Sequence, residues 1–249
     1  MVRELKDAAE VVAACDDDDL VVWAAQGMRP GVRAWTYGDA IAVASPGIAR
    51  GDRLVVRGGP VQAIRLVRHA LAEAGPSFRP FGDAVLVHEV AAAVEGLRVP
   101  SGFSWMATRK PPEPYASQGP GEPVDWLATG DEPGVADLLA TANPDSYAVP
   151  GLAGVRRWAG VRDGAGELLA VAADAWSAPA VGLIAGVATA VRARRRGLGE
   201  RVCRFVTEEL LAEHGRVALM VDDWNDTALG VYHRLGFSRR RVAATRLDI

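Results

Sequence analysis

Cysteine, lysine and long apolar runs are scarce in this chain, and each scarcity closes off a class of protein. Two cysteines, Cys15 and Cys203, in 249 residues cannot build a disulfide framework, which favours a reducing compartment and a cytoplasmic location. The longest uncharged apolar segment, residues 181–191, is about half of the ~20 residues that a membrane span needs. The opening MVRELKDAAEVV carries charge where a secretory leader would carry an apolar core. Positive excess is also lacking: the formal net charge is −3, which argues against a nucleic-acid partner. Lys6 and Lys110 are the only lysines, and with abundant Ala, Gly and Val this reads as GC-rich coding. What is present, 49% hydrophobic and 24% charged residues, suits a globular chain able to bury one large domain or two small ones.

The Pro/Gly-rich stretch at 109–123, RKPPEPYASQGPGEP, can continue neither helix nor central strand and reads as a linker. It divides the chain into an N-terminal α/β unit, 1–108, and a second unit, 124–249. In the second unit DEPGVADLLATA (131–142) predicts a helix with Asp131 as cap and Pro133 in its first turn. RRWAGVRD and ELLAVAADA flank the turn-former Asp163-Gly164 and predict a hairpin. VGLIAGVAT is a third strand. Leu198, Val202, Phe205, Val206 and Leu210 then recur at helical spacing to about His214. A strand at VALMV (217–221), a short helix from Thr227 to Leu235 and a last strand in RVAATRLDI complete the series. In the first unit VRAWTY, AIAVAS and RLVVR predict strands and VQAIRLVRHALAEA a helix. Three strands and a helix thus occur twice, a structural duplication without visible sequence repetition.

Between strand and helix of the second unit lies AVRARRRGLGERV, residues 190–202. A glycine turn opening a helix is a ready anion site, because first-turn N–H groups are unpaired and the dipole favours negative charge. Gly197 and Gly199 remove side chains that would keep a phosphate from the backbone. A P-loop would need Lys-Ser/Thr after Gly199, where Glu200 and Arg201 stand. A dinucleotide fingerprint fits in outline, with Asp222 after the next strand, but Val202 occupies its third glycine position. A merely solvated helix start leaves Arg192, Arg194, Arg195 and Arg196 opposing the dipole unexplained.

Arg194-Arg195-Arg196-Gly197-Leu198-Gly199 resembles the R/Q-x-x-G-x-G/A acyl-CoA signature of the GNAT superfamily of N-acetyltransferases. WNDTALGVYHRLGF (224–237) resembles its N-x-x-A-x-x-x-Y-x-x-x-G-F block through Asn225, Ala228, Tyr232, Gly236 and Phe237. The resemblance covers about residues 126–249, and RRWAGVRD and AGVAT are most similar to the glycine N-acyltransferase-like branch. The His-Pro often found before the arginine is Ala190-Val191 here, so the loop's stiffness differs. The resemblance implies an α+β fold with a mixed, mostly antiparallel central sheet flanked by helices. It makes 124–249 the catalytic domain and 1–108 a degenerate copy of the same fold. The first half's own turn, Arg57-Gly58-Gly59-Pro60, is too short to cradle a pyrophosphate.

The implied activity is acetyl transfer from acetyl-CoA to a primary amine of a small molecule or peptide, without metal, by direct transfer in a ternary complex; a homodimer is left open. The alternative is a non-catalytic acyl-CoA sensor. Backbone groups of Val187, Ala188 and Thr189 would pair with pantetheine as an added strand does. Arg194, Arg195, Arg196, Gly197, Leu198 and Gly199 would hold the pyrophosphate, and Asn225 would contact CoA or cap its helix. Tyr232 would protonate the leaving thiolate, since a phenol of pKa about 10 is protonated at neutral pH. Asp222 is the candidate base or amine anchor, with Asp223 beside it; Asp174 and both of these otherwise read as solvated strand-end carboxylates. DDDD at 16–19 reads as solvated charge, and Trp158 and Trp176 as core side chains.

Overall fold

The computed structural model describes residues 1–100, 102–114 and 123–247. Its first half runs β1 (Arg3–Leu5), α1 (Ala8–Ala14), α2 (Asp19–Ala25), β2 (Arg33–Tyr37), β3 (Ala40–Ile48) and β4 (Gly51–Arg57). It continues with α3 (Pro60–Ala74), β5 (Arg79–Asp83), α4 (Ala84–Ala93), β6 (Leu97–Arg98) and β7 (Phe103–Thr108). The second half runs β8 (Val124–Trp126), α5 (Glu132–Ala142), β9 (Val155–Arg162), β10 (Leu168–Ala175), β11 (Gly182–Thr189) and α6 (Leu198–His214). It ends with β12 (Val217–Asp222), α7 (Asp226–Arg234), β13 (Ser238–Ala244) and β14 (Arg246–Leu247). The helix–strand order expected for the second half is therefore observed, with β8 and β14 added.

Local chemistry sets several boundaries. Asp7 and Asp18 each accept from first-turn N–H groups and so start α1 and α2. Asp163 Oδ1 accepts from Ala165 and Glu167 N–H, closing the β9–β10 hairpin at the expected turn. The strand expected from Arg241 begins earlier, at Ser238, and breaks at Thr245, whose N–H turns to Pro80 O; residues 248 and 249 lie outside the described residues, as do 115–122 of the expected linker.

Twelve strands form one sheet in the order β1-β2-β3-β4-β5-β13-β7-β12-β11-β10-β9-β8. Its neighbours are antiparallel except β4–β5 and β11–β12, each joined through a helix, α3 or α6, as a parallel pair requires. The order reads the same from both ends if β1–β5 answer to β8–β12 and β7 to β13. The two halves exchange a strand: β7 pairs with β12 from Val217↔Thr108 to Asp222↔Phe103, and β13 pairs with β5. β7 and β13 pair with each other at the centre. Strand 103–108, which the division at 109–123 assigns to the first unit, thus lies between two strands of the second.

The main core runs through both halves, from Val11, Trp23 and Phe81 to Trp105, Leu183 and Leu210. A smaller one, with Trp35, Leu54, Leu66 and Val90, fills the space under α3 and α4. The run at 16–19, expected to stay solvated, instead clasps the halves together. Asp17 pairs with Arg109 and Arg216, each at 2.8 Å. Asp18, its side chain only 10% exposed, pairs with Arg240 and, at 3.4 Å, Arg57. Asp19 accepts from Trp105 Nε1. The reason is local: left-handed Asp16 and Asp17 (φ 54° and 52°) turn the chain so that the α2 cap meets β13.

Burial pushes the Asp18 carboxyl up, but the Arg240 guanidinium and the capped N–H groups hold it below its ordinary value. A depressed carboxyl contributes stability that is complete above its unfolded pKa of about 4 and is lost as pH falls below it. Asp18→Asn should therefore cost about 1–2 kcal/mol at neutral pH, less than a fully buried pair because Arg240 stays partly exposed. Chemical denaturation at pH 7 and pH 3 checks this: the gap between parent and variant should shrink at the lower pH.

Candidate functional site

The two parallel strand pairs differ. β4 and β5 stay paired from Arg53↔Arg79 to Val56↔Gly82, nearly to their ends. β11 and β12 pair only from Gly182↔Val217 to Ile184↔Leu219. Beyond that point β11 follows β10, through Ala188↔Val171 and Thr189↔Ala170, while β12 stays on β7 to Asp222. The parting is set by a bulge opposite Val171–Ala173, with Gly186 at φ +61°. A Cβ on Gly186 would stand 2.5 Å from the Trp158 ring, so only glycine fits there. The result is a wedge open at the carboxyl ends of β11 and β12, where sheets of this kind place ligands.

Ala190 N–H donates to Leu169 O of β10. Alternation along an antiparallel strand then turns Ala188 to β10 as well, and Val187 and Thr189 to the wedge. Val187 O already accepts from Asn143 Nδ2 at 3.2 Å, and Thr189 O from Arg194 Nε at 3.4 Å. Arg194 also reaches Ala142 O, so it braces the ends of α5 and β11. After the 3₁₀ turn at Val191–Ala193, Arg195 and Gly197 take left-handed φ of 62° and 75°. α6 then starts at Leu198 with no side-chain cap. Its first N–H groups are left for an external acceptor. Nothing lies within 4 Å of where a Gly197 Cβ would stand, whereas one on Gly199 would sit 3.0 Å from Thr189 Oγ1. Gly199 therefore serves close packing of α6 on β11, and Gly197 keeps the mouth clear. Leu198 is buried, and Arg196 and Arg201 make interactions of their own.

The equivalent turn in the first half is closed. Asp39 Oδ2 accepts from Gly59 N at 2.9 Å, just before α3. A Cβ on Gly58 would stand 2.5 Å from Ala40 Cα. α3 has no side-chain cap either, but a carboxylate of the chain itself sits on the N–H of the residue before it and fills the turn.

Tyr232 is buried on α7, its ring 6.1 Å from that of Phe237. Burial, with a smaller contribution from the Cys203 thiol, holds its phenol pKa well above the ordinary value. The Cys203 thiol is itself pushed up to about 12, by burial first and Glu200 second. Glu200 Oε2 takes both Nε and a terminal nitrogen of Arg234, at 2.9 and 2.7 Å. This pair ties the first turn of α6 to α7, and so the open helix start to the helix carrying Tyr232. Asn225 caps α7 through Ala228 N.

The three carboxylates divide. Asp222 is exposed at the end of β12. Asp223 accepts from Ser104 Oγ and pairs with Arg239 and Arg241. Burial raises its pKa, but Ser104 and the two arginines outweigh that and leave it lowered, which makes it a poor proton acceptor. Asp174, expected to be solvated, is fully buried: Arg157, Arg156 and Ser177 Oγ surround it. Trp158 and Trp176 are both core side chains, 4% and 6% exposed; Trp176 Nε1 donates to Ala153 O while Trp158 Nε1 has no partner among the described residues. The hydrogen-bonded clusters could not be seen in sequence, because Ser104 and Asp223 meet only through the exchanged strand. Among the described residues no group of three His, Cys, Asp or Glu could hold a metal ion, and no helix is long and apolar enough to cross a membrane.

A family model described as FR47-like protein matches residues 159–246, the stretch holding the wedge, the open turn and Tyr232. Among solved structures, the chain is similar to a GCN5-related N-acetyltransferase from Kribbella flavida, 19% identical over 91% of this chain and 94% of that one (TM-score 0.61). It is similar to one from Sphaerobacter thermophilus, 17% identical over 98% and 94% (TM-score 0.59). A third, from Novosphingobium aromaticivorans and described as a GNAT-family acetyltransferase, is 21% identical over 80% and 88% (TM-score 0.53). No curated protein matches the chain. These likenesses establish a mixed α/β fold shared with GNAT acetyltransferases, and they extend across both halves.

Proposed function

We propose that the chain is an acetyl-CoA-dependent N-acetyltransferase acting on a primary amine of a small molecule or peptide by direct transfer in a ternary complex. The observation that carries this is the asymmetry between the halves: one parallel strand pair is parted beside a glycine turn with open space in front of it, and the other is zipped beside a glycine turn that Asp39 fills. The α6 start suits a diphosphate, and the strand face of Val187 and Thr189, turned to the wedge, suits an amide-bearing arm that takes over the carbonyls now held by Asn143 and Arg194. Acetyl-CoA, when bound, supplies the activated acyl group. Tyr232, a phenol protonated at neutral pH and held so further by its burial, gives its proton to the departing sulfur as the new C–N bond replaces the C–S bond. Asp222, exposed at the end of β12 and without a side-chain partner among the described residues, anchors the amine or takes its proton directly or through water. We read the first half as the same strand plan closed to coenzyme by Asp39 and Gly58.

Gly197→Val puts a branched side chain where φ is +75° and in front of the open N–H groups. Its affinity for acetyl-CoA should fall tenfold or more, about 1.4 kcal/mol upward. Titration calorimetry on the folded variant checks this, and should give one acetyl-CoA per parent chain and no heat with NAD. Unchanged affinity in the variant removes the turn from the site. Release of free CoA with an amine panel separates an enzyme from a sensor: turnover with at least one amine is expected, and acetyl-CoA binding with none turned over would favour the sensor.

A further inference from the structure

A cavity of about 270 Å³ lies outside the wedge. It opens at the carboxyl ends of β4 and β5, under the starts of α2 and α4, and is closed by Arg240 from β13. β5, β13, β7 and β12 alternate in direction, so this end of β4–β5 faces the opposite edge of the sheet from the wedge. Four strand spacings, about 19 Å, also separate them across the sheet. A ligand here would not touch the residues assigned above.

The lining divides into floor, wall and rim. At the floor Asp18 and Arg240 satisfy one another, with the second Asp18 oxygen also capping α2. The wall is aliphatic: Leu20, Val21, Val56 and Leu86. The rim holds one group of each sign with spare capacity. Arg57 touches only Asp18, through Nε at 3.4 Å, leaving its terminal nitrogens without a protein partner among the described residues. Asp83 uses Oδ1 to cap α4 through Val85 and Leu86 N–H, leaving Oδ2 without one. The four charges cancel, so a net anion or cation would gain little, while a molecule carrying both signs finds a complement to each.

We propose that this cavity binds a free α-amino acid with an aliphatic side chain. Its carboxylate is taken by Arg57, its ammonium by Asp83, and its side chain lies on Leu20, Val56 and Leu86. The site is separate from the acyl-transfer wedge and does not depend on that reading.

Titration calorimetry with L-leucine tests it, using leucinamide, which lacks the carboxylate, and isovalerate, which lacks the ammonium. Leucine should bind at least tenfold more tightly than either. Arg57→Gln and Asp83→Asn should each weaken leucine at least tenfold; asparagine retains the cap, so α4 should stay formed. Both variants should keep the parent's cooperative thermal unfolding transition, which shows that each still folds. The proposal is overturned if leucine gives no heat at 10 mM, or if isovalerate or leucinamide binds as well as leucine. It is also overturned if leucine binds the parent and both folded variants equally, which would place it elsewhere, such as the acceptor side of the wedge.

Discussion

Tyr232→Phe should lower kcat by the ~10²–10⁴ typical of a lost general acid while leaving acetyl-CoA affinity within about twofold. The substitution keeps the ring that packs near Phe237 and removes only the hydroxyl, so the fold should survive. A thiol of reference pKa about 8.5 leaves poorly as a bare thiolate at neutral pH. A phenol whose pKa burial has raised remains protonated throughout the neutral range and is a standing donor. Its raised value also means that phenol ionisation should impose no loss of kcat up to about pH 9 in the parent. The measurement is turnover with any amine found in the panel, under conditions where chemistry limits the rate. A phenylalanine variant with parental kcat would reduce Tyr232 to a packing residue.

A chain cut at residue 124 should not fold by itself. It keeps the open helix start and Tyr232 but loses β7, which supplies the partner of both β12 and β13. Two strand edges and their apolar faces would be exposed together, including the surface covered by the fully buried Trp105 and Met106. Losing two such core side chains alone costs more than ~5 kcal/mol, comparable with the whole stability of a domain. Expressed alone, 124–249 should be insoluble or lack a cooperative unfolding transition, and co-expression with 1–114 should restore soluble complex. A folded, monomeric 124–249 would mean that β13 can turn back onto β12, and that the exchange is dispensable.

Much of the second half was legible because its elements are long and periodic. The Asp163-Gly164 turn, the spacing of Leu198 to Leu210 and the two motif blocks each carry their own local signal. The elements that escaped are those whose signal is masked locally. FSWMAT is six residues between a proline and a lysine-proline run, and its burial comes entirely from strands far away in sequence. β5 contains Pro80 and Gly82, both poor strand residues. Gly82 is required because a Cβ there would stand 2.4 Å from Val56 O. Residues 16–19 looked like a solvated run because their partners, Arg109, Arg216 and Arg240, lie far along the chain. The three arginines at 239–241 show the same limit: strand alternation sends Arg239 and Arg241 to Asp223 and Arg240 to Asp18. The wedge was not readable either, since it depends on where β11 and β12 stop pairing.

The exchanged strands also set a schedule for the nascent chain. β5 has no neighbour on its outer side until β13 has been synthesised, more than 150 residues later. At roughly 5–20 residues per second that is on the order of ten seconds or more. During this interval β5 is an unpaired edge, the kind of surface that recruits strands from other chains. Pro80 lies within it and cannot donate to a ladder. The residue that weakens β5 as a strand signal thus also makes it a poor template for a stranger while it waits for its own partner.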